Sequence, residues 1–196
     1  PYHLARWNAV SRLPDVDLVV AQMRAEDDFS VLQADSMVAS FDLITLGFIE
    51  KRAPVGRLLK SVEETFATVR PDVAVLSGYS FPVSLATALV AARRKVPLVL
   101  CSESNYEDAG RRAITERIKR RIVSLCGAGF VGGSLQKAYL QRLGLADSSI
   151  SIGYNSVDNA HFSNCAELSS NREEVDLPSR YFLAAARFTP KKNLEG

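Results

Sequence analysis

Cysteine is scarce in this sequence. Cys101, Cys126 and Cys165 are widely spaced, odd in number and form no C-x-x-C pair. A disulfide framework or a cysteine-held zinc site is thereby excluded as the organising device, and buried, reduced thiols of a cytosolic protein are expected. Long apolar runs are missing too: none approaches the roughly 18 residues of a membrane span, and no signal peptide is visible. Charge of one sign is also lacking. The 24 Lys and Arg nearly balance the 22 Asp and Glu, for a net charge of +2, so no nucleic-acid partner is expected. No internal repeat stands out, and no metal site or cofactor motif is read. The chain opens on Pro1-Tyr2-His3, without a methionine, and closes on the charged run Lys192-Asn193-Leu194-Glu195-Gly196. It is expected to be a piece of a longer protein.

What is present is a series of short apolar runs: Leu18-Val19-Val20, Val73-Ala74-Val75-Leu76, Leu98-Val99-Leu100, Gly129-Phe130-Val131, Ile150-Ser151-Ile152 and Tyr181-Phe182-Leu183-Ala184, with a further candidate at 41–46. Continuous rather than alternating, they suit strands covered on both faces of a parallel sheet. Helical patterns lie between them. Leu58, Leu59, Val62, Phe66 and Val69 recur at spacings of three and four, which marks one helical face. Pro82 suits a first turn, and Arg93, Arg94 and Lys95 suit the negative end of the helix 82–95. Helices are also expected over 111–125 and 134–143, the latter with Ser134 as N-cap and Gly144 as stop.

This alternation predicts an α/β, Rossmann-like, doubly wound parallel sheet. Residues 1–158 form the expected first domain. A polar stretch over 159–178 reads as a linker, and 179–196 as the start of a second domain. Ligands in such sheets bind beyond the carboxyl ends of the strands. The candidate loops are therefore Ser77-Gly78-Tyr79-Ser80, Cys101-Ser102-Glu103-Ser104 and Gly132-Gly133-Ser134. Gly78 permits close approach of a ligand to the backbone, with Tyr79 beside it as a candidate cleft residue. After the last strand, Arg187 and Lys192 stand at the mouth of a strand and the start of a helix. A planar guanidinium fork, an ammonium and free helix N–H groups suit a diphosphate. A solvated basic turn is the competing reading.

Arg187-x-x-x-x-Lys192 after an apolar strand resembles the opening of the donor domain of family 4 retaining glycosyltransferases with the two-Rossmann (GT-B) fold. Gly153-Tyr154-Asn155-Ser156-Val157-Asp158-Asn159-x-x-Phe162 resembles that family's hinge motif, with Ser156 where Gly is common. Gly133-Ser134 through Tyr139-Leu140 and Leu143-Gly144 resembles the helix before the hinge, and Tyr2-His3-x-x-Arg6 the helix after the family's first strand. The resemblance implies a hexosyltransferase moving a sugar, with retention, from a nucleoside-diphosphate sugar to a sugar or lipid-linked acceptor. Arg187 and Lys192 would neutralise the leaving diphosphate. Glu103 would be a catalytic or acceptor-binding carboxylate, or else a loop-stabilising one. His3 would face the acceptor cleft, or be a surface histidine. The family's first strand and its later paired glutamates are absent from the sequence, which implies a gap in the middle of the sheet.

Arg111, Arg112, Arg117, Lys119, Arg120 and Arg121 crowd one helix beside the apolar stripe Ile114, Ile118, Ile122 and Leu125. Two readings are open: a peripheral contact with an anionic membrane through 111–125, or a core helix with a solvated basic face. At the level of function, a sugar-nucleotide epimerase of the same fold and a non-enzymatic binding lobe stand as alternatives to the transferase.

Overall fold

A computed structural model describes residues 2–24, 39–48, 54–79, 81–107, 112–169 and 180. Its elements alternate as expected. They are α1 (Tyr2–Ser11), β1 (Val19–Arg24), β2 (Asp42–Phe48), α2 (Val55–Val69), β3 (Ala74–Ser77) and α3 (Pro82–Arg94). There follow β4 (Leu98–Ser102), α4 (Ala113–Val123), β5 (Ala128–Val131), α5 (Ser134–Leu143), a 3-10 turn at Asp147–Ser149, β6 (Ile150–Ile152) and α6 (Asn159–Ser169).

Every strand pairing among the described residues is parallel, as the continuous apolar runs predict. The fold is α/β. The strands are hydrogen-bonded as two sheets rather than one: β1-β2, and a four-stranded sheet in the order β3-β4-β5-β6.

The core sits on the four-stranded sheet. Leu58, Val62 and Phe66, four residues apart on α2, are buried, so the periodic stripe does face inward there. Small residues Ala86, Ala88 and Ala91 are buried on α3 and let it pack closely. Arg94 on α3 holds Glu63 on α2 through its Nε and Nη2, at 2.8 and 2.7 Å. Pro82 stands in the first turn of α3, and Arg93 and Arg94 in its last.

Gly144 ends α5 in the left-handed region (φ +111°), its N–H bonded to the carbonyls of Gln141 and Leu140. At the other end the N-cap is Gly133 rather than Ser134, without a side-chain cap. Gly129 on β5 is required by packing, because a Cβ there would lie 2.8 Å from Leu140 Cδ1 on α5.

The chain divides into two compact units, residues 1–158 and 159–196. Residues 159–169, expected as part of a polar linker, are helical. Residues 181–196, with Arg187 and Lys192, lie outside the described residues.

Candidate functional site

The carboxyl ends of β3, β4, β5 and β6 converge with the first turns of α1. After β3, Gly78 turns the chain at φ +89°, a conformation other residues resist. Its N–H is held by the Cys101 carbonyl of β4 at 2.8 Å. Nothing lies within 4 Å of where a Cβ of Gly78 would stand, so the loop is open on that side. After β6, the N–H groups of Gly153 and Tyr154 both bond the Val131 carbonyl at the end of β5, at 2.9 and 3.1 Å. The segment Asn155-Ser156 is thereby folded over the β5 loop. Gly132 accepts it closely: a Cβ there would meet Asn155 Nδ2 at 2.7 Å.

Onto this platform α1 brings His3 and Arg6. The Arg6 guanidinium stacks over the Tyr154 ring at 4.9 Å and donates from Nε to the Ser156 carbonyl at 3.0 Å. Its Nη1 is buried and has no hydrogen-bond partner among the described residues. Tyr154 is only 7% exposed. It meets Phe130 edge-on at 5.8 Å. Burial raises the Tyr154 hydroxyl above the ordinary tyrosine range, with Cys101 adding to the rise. The Cys101 thiol is likewise pushed up to about 11 by burial, as is Cys126. Both are free thiols, and their burial disfavours the thiolate.

Glu103, exposed just past β4, lies close enough to His3 for the two charges to interact. The His3 ring has an open edge, yet desolvation beneath it lowers its pKa below the usual histidine value. Arg6 lowers it further, and Glu103 opposes both. An imidazole neutral at pH 7, a carboxylate and a guanidinium nitrogen without a partner therefore stand together. They can accept protons from hydroxyls and hold an oxygen-rich or anionic group.

Tyr79 does not belong to this cluster. Expected in the cleft, it is buried in the hydrophobic core, with Lys119 Nζ of α4 5.7 Å from its ring centroid. Burial of the large ring outweighs exposure at the loop.

A second polar group was not legible in the sequence. The Tyr139 hydroxyl of α5 donates to the Glu116 carboxylate at 2.9 Å. Lys119 donates to both, at 2.9 Å to Tyr139 and 3.0 Å to Glu116. Burial alone would lower the Lys119 pKa, but these bonds raise it overall. A cavity of about 490 Å³ beside the group is lined by Tyr106, Glu116, Arg120, Tyr139, Arg142 and Leu143. No metal-holding cluster of His, Cys, Asp or Glu occurs among the described residues, and none of their helices is long and apolar enough to cross a membrane.

No family model and no curated protein matches the chain. Solved structures do. A UDP-GlcNAc 2-epimerase from Methanocaldococcus jannaschii is 24% identical over 57% of this chain and 30% of that one, with a TM-score of 0.44. The UDP-N-acetylglucosamine 2-epimerase of Rickettsia bellii is 17% identical over 67% and 35%, with a TM-score of 0.49. The Neisseria meningitidis UDP-GlcNAc 2-epimerase, bound to UDP-GlcNAc, is 16% identical over 59% and 32%, with a TM-score of 0.43. The chain thus spans about a third of the length of these structures.

Proposed function

We propose that residues 1–158 form one lobe of an enzyme acting on a nucleoside-diphosphate sugar, with His3, Arg6 and Glu103 on the reacting side. The observation that carries this reading is Arg6. Its guanidinium is clamped by the Tyr154 ring and the Ser156 carbonyl, yet Nη1 is buried without a partner among the described residues. Leaving a charged donor unsatisfied is costly, and an oxygen-rich ligand removes the cost. Glu103 and a neutral His3 beside it suit sugar hydroxyls rather than an apolar ligand.

Within that class we favour glycosyl transfer, on the sequence motifs at 2–6, 133–144, 153–162 and 187–192. The acceptor oxygen would bond to the sugar's anomeric carbon as the bond from that carbon to the diphosphate breaks. The diphosphate leaves with the electron pair, met by Arg187 and Lys192. The acceptor hydroxyl proton passes to a base, for which Glu103 and His3 are the candidates. Epimerisation of the same class of substrate stands beside it, and a single assay separates the two. The full-length protein is incubated with nucleoside-diphosphate sugars, with and without sugar or lipid-linked acceptors, and products are resolved by NMR. Acceptor-dependent release of nucleoside diphosphate is the expected outcome. An isomerised sugar nucleotide formed without acceptor would select the epimerase. No turnover of any sugar nucleotide would overturn the class.

A further inference from the structure

The apolar stripe of α4 is turned outward. Ile114 is 71% exposed, Ile118 54% and Leu125 37%; of the stripe only Ile122 is buried. The inward face is made instead by Val123 and by the Glu116–Lys119 pair bonded to Tyr139. Glu116, the only acidic residue of the helix, is thereby turned inward and neutralised by Lys119. The exposed charges of the segment are Arg112, Arg117, Arg120 and Arg121. None of the four has an ion-pair partner among the described residues. Arg117 and Arg121 each follow an exposed isoleucine by three residues, so they flank it on one face.

We infer that this face of α4 lies on an anionic lipid surface, with Ile114 and Ile118 entering the boundary between headgroups and acyl chains. The chemistry selects this partner over others. A second copy of the chain would bring its own Arg117 and Arg121 against these two arginines, and like charges repel. A nucleic acid would be met by arginines and stacking aromatics, not by branched aliphatic side chains. Exposed isoleucines ringed by arginines suit a surface that is apolar beneath and negative above. The inference does not depend on which reaction the protein catalyses.

The test is co-sedimentation of the full-length protein with vesicles of phosphatidylcholine alone and of phosphatidylcholine mixed with phosphatidylglycerol. Binding is expected only to the mixed vesicles, and it should weaken as salt shortens the range of the charges. Arg117→Gln with Arg121→Gln should reduce the partition coefficient about fivefold per arginine, or about 25-fold for the pair. Ile114→Gln with Ile118→Gln should abolish the part of binding that survives high salt. All four side chains are exposed, so both variants should keep the parental circular dichroism and unfolding midpoint. Equal sedimentation with the two vesicle types, or of parent and variants, would overturn the inference. So would a concentration-dependent dimer, seen by light scattering, that the isoleucine variant abolishes.

Discussion

The segment from α2 to β6 and the segment from α1 to β2 both carry short apolar strand runs, yet they are packed very differently. Every member of the hydrophobic core cluster falls between Leu58 and Ile150. In α1, β1 and β2, Leu4 is the only buried apolar residue among those described. Polar bonds do more of the joining in the thin segment: the Ser40 N–H to Asn8 Oδ1, the Ser61 hydroxyl to the Leu46 carbonyl, Arg6 Nε to the Ser156 carbonyl. The proposed site straddles the two, with His3 and Arg6 from the thin part and Glu103 and Tyr154 from the dense one. A rigid platform with a lightly held α1 against it allows the site to adjust around a ligand without disturbing the core.

The largest expected contrast is in stability. Leu100 on β4 is fully buried, and Leu100→Ala should cost about 2–5 kcal/mol through lost burial and the cavity left behind. Val20 on β1 is only half-buried. Val20→Ala should cost about 1 kcal/mol or less, because fewer apolar contacts are lost. Urea unfolding of the two variants measures both. Equal losses would erase the distinction between the segments.

A smaller effect sharpens the same comparison at the site. The His3 pKa is lowered, so the unfolded chain binds its proton more readily than the folded one. Its contribution to stability is therefore intact above the ordinary histidine value and falls as the pH drops below it. NMR titration of the His3 ring should show a midpoint below 6.5. Glu103→Gln should move that midpoint further down, since the carboxylate opposes the shift. Arg6→Ala should move it up. A midpoint indifferent to both variants would separate α1 from the strand ends.

Much of the architecture was legible in the sequence, because continuous apolar runs and period-3.6 stripes report local structure directly. The six strands among the described residues and α2 to α5 lie where those patterns place them, and the run at 181–184 lies outside the described residues. Which way a stripe faces is another matter. The isoleucines of α4 predicted a helix and left open whether its stripe faces a membrane or the core, since that depends on Tyr139, 23 residues beyond Glu116 in the chain. Tyr79 was misplaced for the same reason: its neighbour Lys119 is distant in sequence. The division into two sheets is encoded by no local pattern, and only the resemblance, with its absent first strand, implied a gap in the sheet. Arg6 was visible in the motif Tyr2-His3-x-x-Arg6, but its clamp on Tyr154 and Ser156 appears only in three dimensions.

The central claim is that α1 lends its polar residues to a site on the dense platform, and Arg6→Ala tests it most directly. In the full-length protein, turnover of the sugar nucleotide should fall about 10- to 100-fold, the loss of one charge-assisted hydrogen bond worth about 1.5–3 kcal/mol. The same variant should unfold within about 2 kcal/mol of the parent, because it loses in the free protein one exposed hydrogen bond and the stacking on Tyr154. Parental turnover in a folded Arg6→Ala protein would contradict the account.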